Sequence, residues 1–329
     1  MIGRLPLAIV AVPFLAIACL LNAACDLGGG SGDGESDFFG DPGGTGPYAV
    51  GVTKMTSTRP STADATPRAM ETWIWYPAEG AAGAVTDEAP ATDDGPFPLV
   101  IFSHGSGGML ENQSFFTGHL ASWGFVVASP PHPGNTTDDC VLCDAQNIAA
   151  SAQERPGDVA FILDEMVTLH DDGTEPLGPL VDPERTAIAG HSFGGWTAVS
   201  VAPDGQFDAA VSLAPGLPES LIPVAADVRA PVMVIAGSKD EIVPKDEVDN
   251  LYDALAVATI THYVLLPEGH HLSFIDHCLG CTDALPEARG HELINRYGTV
   301  FLKVHVTGDD RFAESLVPDP PDAELVGTD

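Results

Sequence analysis

Residues 190–194 read GHSFG and have the form G-x-S-x-G, which can hold a nucleophilic serine. The stretch follows a short apolar run, 186–189, which is typical of a buried strand, and it precedes a helix-forming segment that begins at Gly195. Glycines on both sides of the serine allow a sharp turn between such a strand and such a helix. The context therefore predicts a nucleophile elbow that presents the Ser192 hydroxyl, with an ordinary Gly-rich turn as the alternative.

A serine hydroxyl needs a base to take its proton and an acid to orient that base. Downstream of the elbow, one apolar run ends in a Gly turn followed by Asp240, and the next ends just before His270 and His271. The carboxyl ends of parallel strands meet at one edge of a sheet, where ligands bind. We therefore predict Asp240 as the orienting acid, with Glu241 as the alternative, and one of the two histidines as the base.

Cleavage of an ester also requires hydrogen-bond donors for the oxyanion of the tetrahedral intermediate. Residues 103–108 read SHGSGG and follow the apolar run 98–102 directly. Glycines let backbone N–H groups turn towards a substrate. We predict the backbone amides of Ser106 and Phe193 as the donors, against the alternative that this is an ordinary Gly-rich turn.

Apolar runs that alternate with helix-like segments must position these groups. The expected strands are 73–76, 98–102, 125–128, 186–189, 207–214, 231–236 and 262–266, and the expected helices are 116–123, 158–169, 248–257 and 287–304. Strands that are apolar on both faces indicate a mostly parallel sheet covered by helices on both sides. The connections are too short to predict a separate cap domain.

Three segments resemble known hydrolases: 98–135, 155–164 (RPGDVAFILD) and 182–198 (DPERTAIAGHSFGGWTA). Together they resemble the bacterial predicted dienelactone hydrolases of the α/β-hydrolase superfamily, and they are similar to the secreted platelet-activating-factor acetylhydrolases. The resemblance implies an α/β-hydrolase fold. In the second group the base lies in an H-x-x-F-x-D segment; residues 271–276 (HLSFID) have that form, which favours His271 over His270.

The sequence departs from both groups. True dienelactone hydrolases use a cysteine nucleophile, where this chain has Ser192. The acetylhydrolases take their acid from the strand after the elbow helix, but residues 212–216 (SLAPG) contain no carboxylate, which leaves Asp240 in that role.

The predicted function is a serine esterase that works through an acyl-enzyme and requires no cofactor. Its substrate is a small-molecule or lipid-like ester. A lipase or phospholipid deacetylase and a cutinase-like polyester hydrolase are alternatives within the same chemistry. A non-catalytic envelope lipoprotein with a hydrolase fold is the alternative from another class.

The N-terminal segment predicts export. Residues 1–24 have the features of a lipoprotein signal peptide, with an almost wholly apolar run from Leu5 to Leu21. Cys25 is the expected lipidation site, with Cys19 as a second candidate, and residues 25–46 form a Gly- and Asp-rich flexible tether. The expected location is the bacterial envelope through an N-terminal lipid anchor; plain secretion and a retained membrane helix are the alternatives.

Residues 47–312 are expected to form the catalytic domain, and 313–329 a loose acidic tail that contains proline. The net charge of −34 excludes a nucleic-acid partner, because a phosphate backbone would be repelled. The same charge disfavours anionic substrates at long range.

Four cysteines form two C-x₂-C pairs: Cys140 with Cys143, and Cys278 with Cys281. The spacing alone would suit a structural zinc site, but an exported protein favours disulfides. The sequence does not choose among the pairings. A bridge between the two loops would hold the histidine loop near Ser192.

Overall fold

The computed structural model describes residues 40–108, 113–140, 143–216, 225–255, 258, 260–277, 285–316 and 323–328. The predicted signal peptide, the lipidation candidates Cys25 and Cys19, and the cysteine pair Cys278 and Cys281 lie outside these residues. No helix within the described ranges is long and apolar enough to cross a membrane.

The described strands join in one ten-stranded sheet with the order β10-β9-β8-β7-β6-β4-β5-β2-β1-β3. The strands are β1 (Ala49–Pro60), β2 (Pro67–Ala78), β3 (Val85–Asp87), β4 (Phe97–Ser103), β5 (Val126–Ser129), β6 (Val181–His191), β7 (Ala209–Leu213), β8 (Val232–Gly237), β9 (Thr261–Leu266) and β10 (Glu324–Thr328). The helices are α1 (Ser114–Ser122), α2 (Ala145–Asp171), α3 (Phe193–Val201), α4 (Lys245–Ala254) and α5 (Glu287–His305).

The centre of the sheet is parallel. Strands β5, β4, β6, β7, β8 and β9 pair in parallel in that spatial order, and every residue of β4 to β8 that forms the predicted apolar runs is buried. One apolar core lies between the sheet and α2, α3 and α4, and a second lies between the sheet and α1 and α5. This arrangement confirms the predicted α/β architecture with helices on both faces.

Helix α2 is longer than predicted. Its apolar spacing begins only at Asp158, but the helix begins after Asp144, whose carboxylate accepts a hydrogen bond from the Asn147 amide at 2.9 Å. Pro156 lies inside the helix. The first turns were missed because most of their residues are exposed or half-buried and show no apolar spacing.

The described structure begins before residue 47, the expected start of the catalytic domain. Residues 40–46, predicted as the end of a flexible tether, lie against α1 and α5. The Gly46 amide donates to Ser122 Oγ at 3.0 Å, and Asp41 forms an ion pair with Arg296 at 3.2 Å. A Cβ on Gly43 would approach Glu292 of α5 to 2.9 Å, so glycine permits this close packing.

Part of the expected acidic tail, residues 313–316 and 324–328, has regular secondary structure. Residues 313–316 complete a 3₁₀ helix, Asp310–Leu316, which buries Phe312 and Leu316. Strand β10 pairs antiparallel with β9, and the pairing satisfies backbone groups of both strands. The strand is too short for sequence periodicity to reveal it.

Candidate active site

Ser192 lies in the sharp turn between β6 and α3. Its backbone has φ 55° and ψ −118°, a conformation that is strained for any residue other than glycine. The Ser192 amide donates to the carbonyl of Leu213 in β7 at 2.8 Å, which holds the turn in place. A Cβ on Gly194 would overlap the carbonyl of Ser103, and a Cβ on Gly190 would overlap that of Gly194, so both glycines are required. The predicted strand, turn and helix are therefore all present.

Asp240 and His271 meet at the same edge of the sheet. His271 Nδ1 lies 2.7 Å from Asp240 Oδ2, and both side chains are buried. The other oxygen, Asp240 Oδ1, accepts hydrogen bonds from the amides of Ile242 at 2.9 Å and Val243 at 2.7 Å. Because Asp240 accepts from Nδ1, the neutral ring of His271 carries its proton there and leaves Nε2 free to accept another.

The two alternatives considered for these positions do not share this arrangement. His270 caps the 3₁₀ helix His271–Phe274, where its side chain accepts from the backbone of Ser273. Glu241 is exposed to solvent. The structure thus brings His271 to Asp240, and it places His270 and Glu241 in other roles.

The loop that carries His271 is fastened to two helices. Asp276, the last residue of the H-x-x-F-x-D segment, accepts from the Ser114 amide at 3.1 Å, the Ser114 hydroxyl at 2.6 Å and the Phe115 amide at 2.8 Å. These contacts cap the N-terminus of α1. In addition, His291 of α5 lies 2.9 Å through its Nε2 from the carbonyl of Ile275. Asp276 therefore joins the histidine loop to the helix that follows the predicted oxyanion loop.

Cys140 and Cys143 are joined to each other by a disulfide. This bond excludes both sulfurs from a bridge to the histidine loop, so the hypothesis of such a bridge is wrong for this pair. Neither sulfur is available as a zinc-binding thiolate, and the described residues contain no cluster of three or more His, Cys, Asp or Glu that could hold a metal.

The disulfide lies beside the predicted oxyanion loop. Asn135 Nδ2 lies 3.0 Å from Cys143 Sγ and 3.2 Å from Ser106 Oγ.

The predicted oxyanion loop lies against the elbow. A Cβ on Gly105 would approach Ser192 Cβ to 3.4 Å, and Ser106 follows it on the exposed side. Phe193 is the first residue of α3, whose N-terminus has no side-chain cap from Ser192. The first amides of a helix have no partner within it and carry partial positive charge, so they can donate hydrogen bonds to an anionic oxygen. The structure thus brings the segments of both predicted donors next to Ser192.

Sequence reasoning missed a buried ionic cluster beneath this loop. The carboxylate of Asp158 lies 2.7 Å from Arg59 Nε and 2.8 Å from Arg68 Nη2, and Glu154 pairs with Arg59 at 2.6 Å. Arg155, between the two acidic residues, is completely buried. The RPGD segment contributed only to the resemblance. One signal in the sequence could have revealed the cluster. Glu154 and Asp158 are spaced i and i+4, so both carboxylates lie on one face of α2, and Arg155 lies between them.

Burial and charge set the protonation of this cluster. Burial lowers the pKa of His132 to about 4, and it lowers that of His104 well below its usual value, so both rings are neutral at pH 7. Burial alone would raise the pKa of Asp158, but hydrogen bonds from His132 and Arg68 outweigh it and lower the pKa to about 2. For Glu154, burial is likewise outweighed by hydrogen bonds from Thr62, Ser61 and Arg59, and its pKa falls to about 2. Both carboxylates are therefore charged at neutral pH.

A cleft of about 480 Å³ opens beyond the end of the oxyanion loop at Gly108. Trp73, Pro131 and Pro133 provide flat apolar surface, and Thr137 and Asp138 are polar groups in the lining. The volume is within the range of small-molecule sites. Ser192 does not line this cleft, so the cleft can hold only a part of a substrate that lies away from the reacting bond.

Comparison with known proteins finds relatives of low sequence identity among cutinases and in one further hydrolase. Cutinase 2 from Thermobifida cellulosilytica is 24% identical over 234 residues, which cover 70% of this chain and 76% of that protein. Cutinase cut1 from Thermobifida fusca is 24% identical over 234 residues, and the match spans 63% of that protein. A protein of Methylorubrum extorquens assigned as a carboxymethylenebutenolidase is 25% identical over 200 residues, which cover 57% of this chain and 67% of that protein.

Residues 88–278 match the family model of the dienelactone hydrolases. Because the matched segment covers more than half of the sequence, the chain belongs to the dienelactone hydrolase family, as the resemblance of its segments predicted.

Proposed function

We propose that this chain is a serine hydrolase that cleaves carboxylic esters. The observation that carries the proposal is the 2.7 Å contact between His271 Nδ1 and Asp240 Oδ2 next to a strained serine turn. The centre of the His271 ring lies 4.8 Å from the centre of the His191 ring, and His191 directly precedes Ser192; this proximity supports His271 as the base. Ester hydrolysis is also the activity that the family and the cutinase relatives support.

Each residue has a defined role in the proposed reaction. Ser192 Oγ attacks the acyl carbon while His271 Nε2 takes its proton, and Asp240 stabilises the imidazolium that forms. The amides of Ser106 and Phe193 hold the oxyanion of the tetrahedral intermediate. The intermediate collapses to an acyl-enzyme as the C–O bond breaks, and His271 returns the proton to the leaving alcohol. A water molecule then attacks the acyl carbon while His271 takes its proton. The carboxylic acid leaves as His271 returns that proton to Ser192 Oγ.

Replacement of the nucleophile tests the proposal. Ser192→Ala should abolish turnover of p-nitrophenyl acetate and labelling by a fluorophosphonate probe, while circular dichroism stays unchanged. His270→Gln is the matched control and should keep its activity, because His270 does not contact Asp240. Full turnover by Ser192→Ala would remove the assignment, and failure of the wild-type chain to react with either reagent would favour the non-catalytic lipoprotein.

A cutinase-like substrate, with ester groups along an extended chain, is a second candidate. The cleft at Gly108 supports it, because it offers apolar surface beyond the reacting ester. Trp73→Ala should then lower release of acid from a soluble polyester but leave turnover of p-nitrophenyl acetate unchanged. Equal rates of the variant and the wild-type chain on both substrates would remove the cleft from the substrate site.

We further propose that the protein is exported and lipidated on Cys25. The apolar leader and the Gly-rich segment after it support this location, as does the disulfide, because disulfides persist in oxidising compartments. Metabolic labelling with an alkyne fatty acid should be lost in Cys25→Ser. Labelling that persists in Cys25→Ser but is lost in Cys19→Ser would move the site to Cys19.

A further inference from the structure

The guanidinium of Arg155 uses its whole hydrogen-bonding capacity around the oxyanion loop. Its five N–H groups donate to Ser151 Oγ (3.1 Å), Ser103 Oγ (3.2 Å), the His104 carbonyl (2.6 Å), the Gly105 carbonyl (3.2 Å) and Asn135 Oδ1 (2.7 Å). Ser103 ends β4, and His104 and Gly105 follow it in the oxyanion loop. Asn135 belongs to the neighbouring loop, so only Ser151 of α2 lies away from this site. A fully buried side chain with this set of partners has one fixed position.

The contact with Gly105 fixes the direction of the next amide. The Gly105 carbonyl accepts from Arg155 at 3.2 Å, from the Gly108 amide at 3.2 Å and from His104 Nδ1 at 2.7 Å. In a trans peptide the C=O and the N–H point in opposite directions. Because the Gly105 carbonyl faces Arg155, the Ser106 amide of the same peptide faces away from Arg155.

The hydrogen bonds of His104 support the same geometry. His104 Nε2 accepts from the His132 amide at 3.1 Å, so the proton of the neutral ring is on Nδ1 and can be donated to Gly105. His132 in turn bridges Ser103 Oγ at 2.8 Å and Asp158 at 3.0 Å. The direction of the Ser106 amide is therefore held by partners that are themselves fixed.

Arg155 also contacts the segment of the second predicted donor. Its guanidinium carbon lies 4.2 Å from the centre of the Phe193 ring, and that ring stacks on Trp196 at 5.3 Å. The backbone amide of Phe193 is the first of α3. One side chain thus touches both of the segments that would hold the oxyanion.

The charge of this guanidinium is not neutralised by a direct partner. Among the described residues, the carboxylates of Glu154 and Asp158 pair with Arg59 and Arg68, and none forms an ion pair with Arg155. Burial lowers the pKa of Arg155 to about 9, which leaves it protonated at neutral pH. Three guanidinium groups and two carboxylates leave one positive charge beneath the loop, where the surrounding protein screens it weakly.

We propose that Arg155 is a positioning residue of the oxyanion site, which directs the Ser106 amide towards the substrate and stabilises the anionic intermediate through its buried positive charge. The inference rests on the proposed ester hydrolysis. It adds a residue that touches neither the substrate nor the triad, and whose effect is confined to the charged intermediate.

Asn135→Asp is the sharpest test, because it changes the charge and keeps the Arg155 side chain. The substitution replaces the amide oxygen that accepts from Arg155 with a carboxylate oxygen and neutralises the guanidinium. It also removes the contacts of Asn135 Nδ2 with Ser106 Oγ and Asn147 Oδ1, so Asn135→Leu, which removes these contacts without adding a charge, is its control. The affinity for a trifluoromethyl ketone, which forms an anionic tetrahedral adduct with a nucleophilic serine, should fall by about tenfold or more. The kcat for p-nitrophenyl acetate should fall by the same factor, with KM changed by less than about twofold.

Arg155→Gln provides a second variant, with the same loss or a larger one. Arg68→Lys is the matched control: it breaks the two-point contact of Arg68 with Asp158 in the same cluster, keeps the positive charge and does not touch the oxyanion loop. It should lower the melting temperature and leave the inhibition constant within about twofold of wild type. The inhibition constant is informative because a smaller folded fraction lowers the apparent kcat but does not change the affinity of the molecules that remain folded.

Two results would overturn the proposal. One is a loss of inhibitor affinity in Asn135→Asp no larger than in Asn135→Leu, even if kcat is lower, because Arg155 would then be a structural residue only. The other is an equal loss of affinity in Arg68→Lys. Failure of the proposed function is distinguishable, because the wild-type chain would then neither turn over the ester nor bind the ketone.

Discussion

The two loops that flank Ser192 are held by different physical means. The oxyanion loop, residues 103–108, is fixed from below by a buried guanidinium and its neighbouring ion pairs. The histidine loop, residues 270–277, is fixed from the side by Asp276 at an exposed helix end and by one bond from α5. In the proposed reaction, the oxyanion site must keep the direction of its amides, whereas the base gains and loses a proton. Under that proposal, the buried ionic support belongs to the loop whose geometry must not change.

The largest effect on activity is expected within the histidine loop itself. Asp240→Asn should lower kcat by about 10³–10⁴-fold with the fold intact, because the amide favours the wrong tautomer of His271. Steady-state kinetics with p-nitrophenyl acetate measure the change. Glu241→Gln is the control, since Glu241 is exposed, and a comparable loss there would move the acid role from Asp240 to Glu241.

On the side of the oxyanion loop, the largest effect should be on stability. Asp158→Asn removes the more deeply buried of the two carboxylates that pair with both Arg59 and Arg68, and it should lower the free energy of unfolding by about 3–5 kcal/mol. Urea denaturation followed by tryptophan fluorescence measures the loss. If the loss were under about 1 kcal/mol, as for an exposed ion pair, the cluster would not be the main support of this loop.

Acid should weaken the support of the oxyanion loop. The pKa of His132 is about 4 in the folded chain and higher when the chain is unfolded, so the unfolded state binds more protons as the pH falls from about 6.5 to 4. Stability therefore decreases in this window. It decreases further towards pH 2, because Asp158 and Glu154 keep a pKa of about 2 only when folded.

Unfolding free energies measured at pH 7, 6, 5 and 4 test this expectation. A His132→Gln variant should show a shallower fall between pH 6.5 and 4, because it lacks one of the groups that bind the extra protons in the unfolded state. Identical slopes for the variant and the wild-type chain would assign the acid sensitivity to the other histidines whose pKa burial lowers: the buried His104 and His191, and the half-buried His119 and His305.

The smallest effect is expected at Asp276, the half-buried residue that joins the histidine loop to α1. Asp276→Ala removes the cap of α1 and should cost about 1 kcal/mol of stability, with a loss of only severalfold in kcat. Asp276→Asn keeps an oxygen acceptor and should recover most of both. Thermal melting and kinetics on the three proteins would show whether the loop depends on Asp276; a loss as large as that of Asp240→Asn would contradict the contrast between the two loops.

The parts of this molecule that could be predicted from sequence are those set by local pattern. Continuous apolar runs predicted the central strands β4 to β9 and the elbow, because a strand buried on both faces consists almost entirely of apolar residues. Strand β1 was missed because its outer half alternates exposed residues such as Lys54 with half-buried ones, and it carries little apolar signal. The short edge strands β3 and β10 have no pattern of their own.

The cluster around Arg155 could not be predicted from local sequence pattern. Arg59 and Asp158 are 99 residues apart in the chain, and no spacing rule connects them. Asp240 and His271 were found because each follows a recognisable strand and because HLSFID resembles a known segment. The local bond between Cys140 and Cys143 could not be chosen over the other pairings, because any of them was compatible with the spacing.

Strand β10 has a consequence for how the protein behaves at high concentration. It covers the outer edge of β9, and the opposite edge of the sheet is β3, which has only three residues. Unpaired strand edges are templates for intermolecular pairing, and proteins protect them by short or covering strands. We therefore expect β10 to protect the edge of β9 from pairing with a second copy of the chain. Removal of residues 323–329 should leave catalysis intact and should make the exposed edge of β9 a site for aggregation.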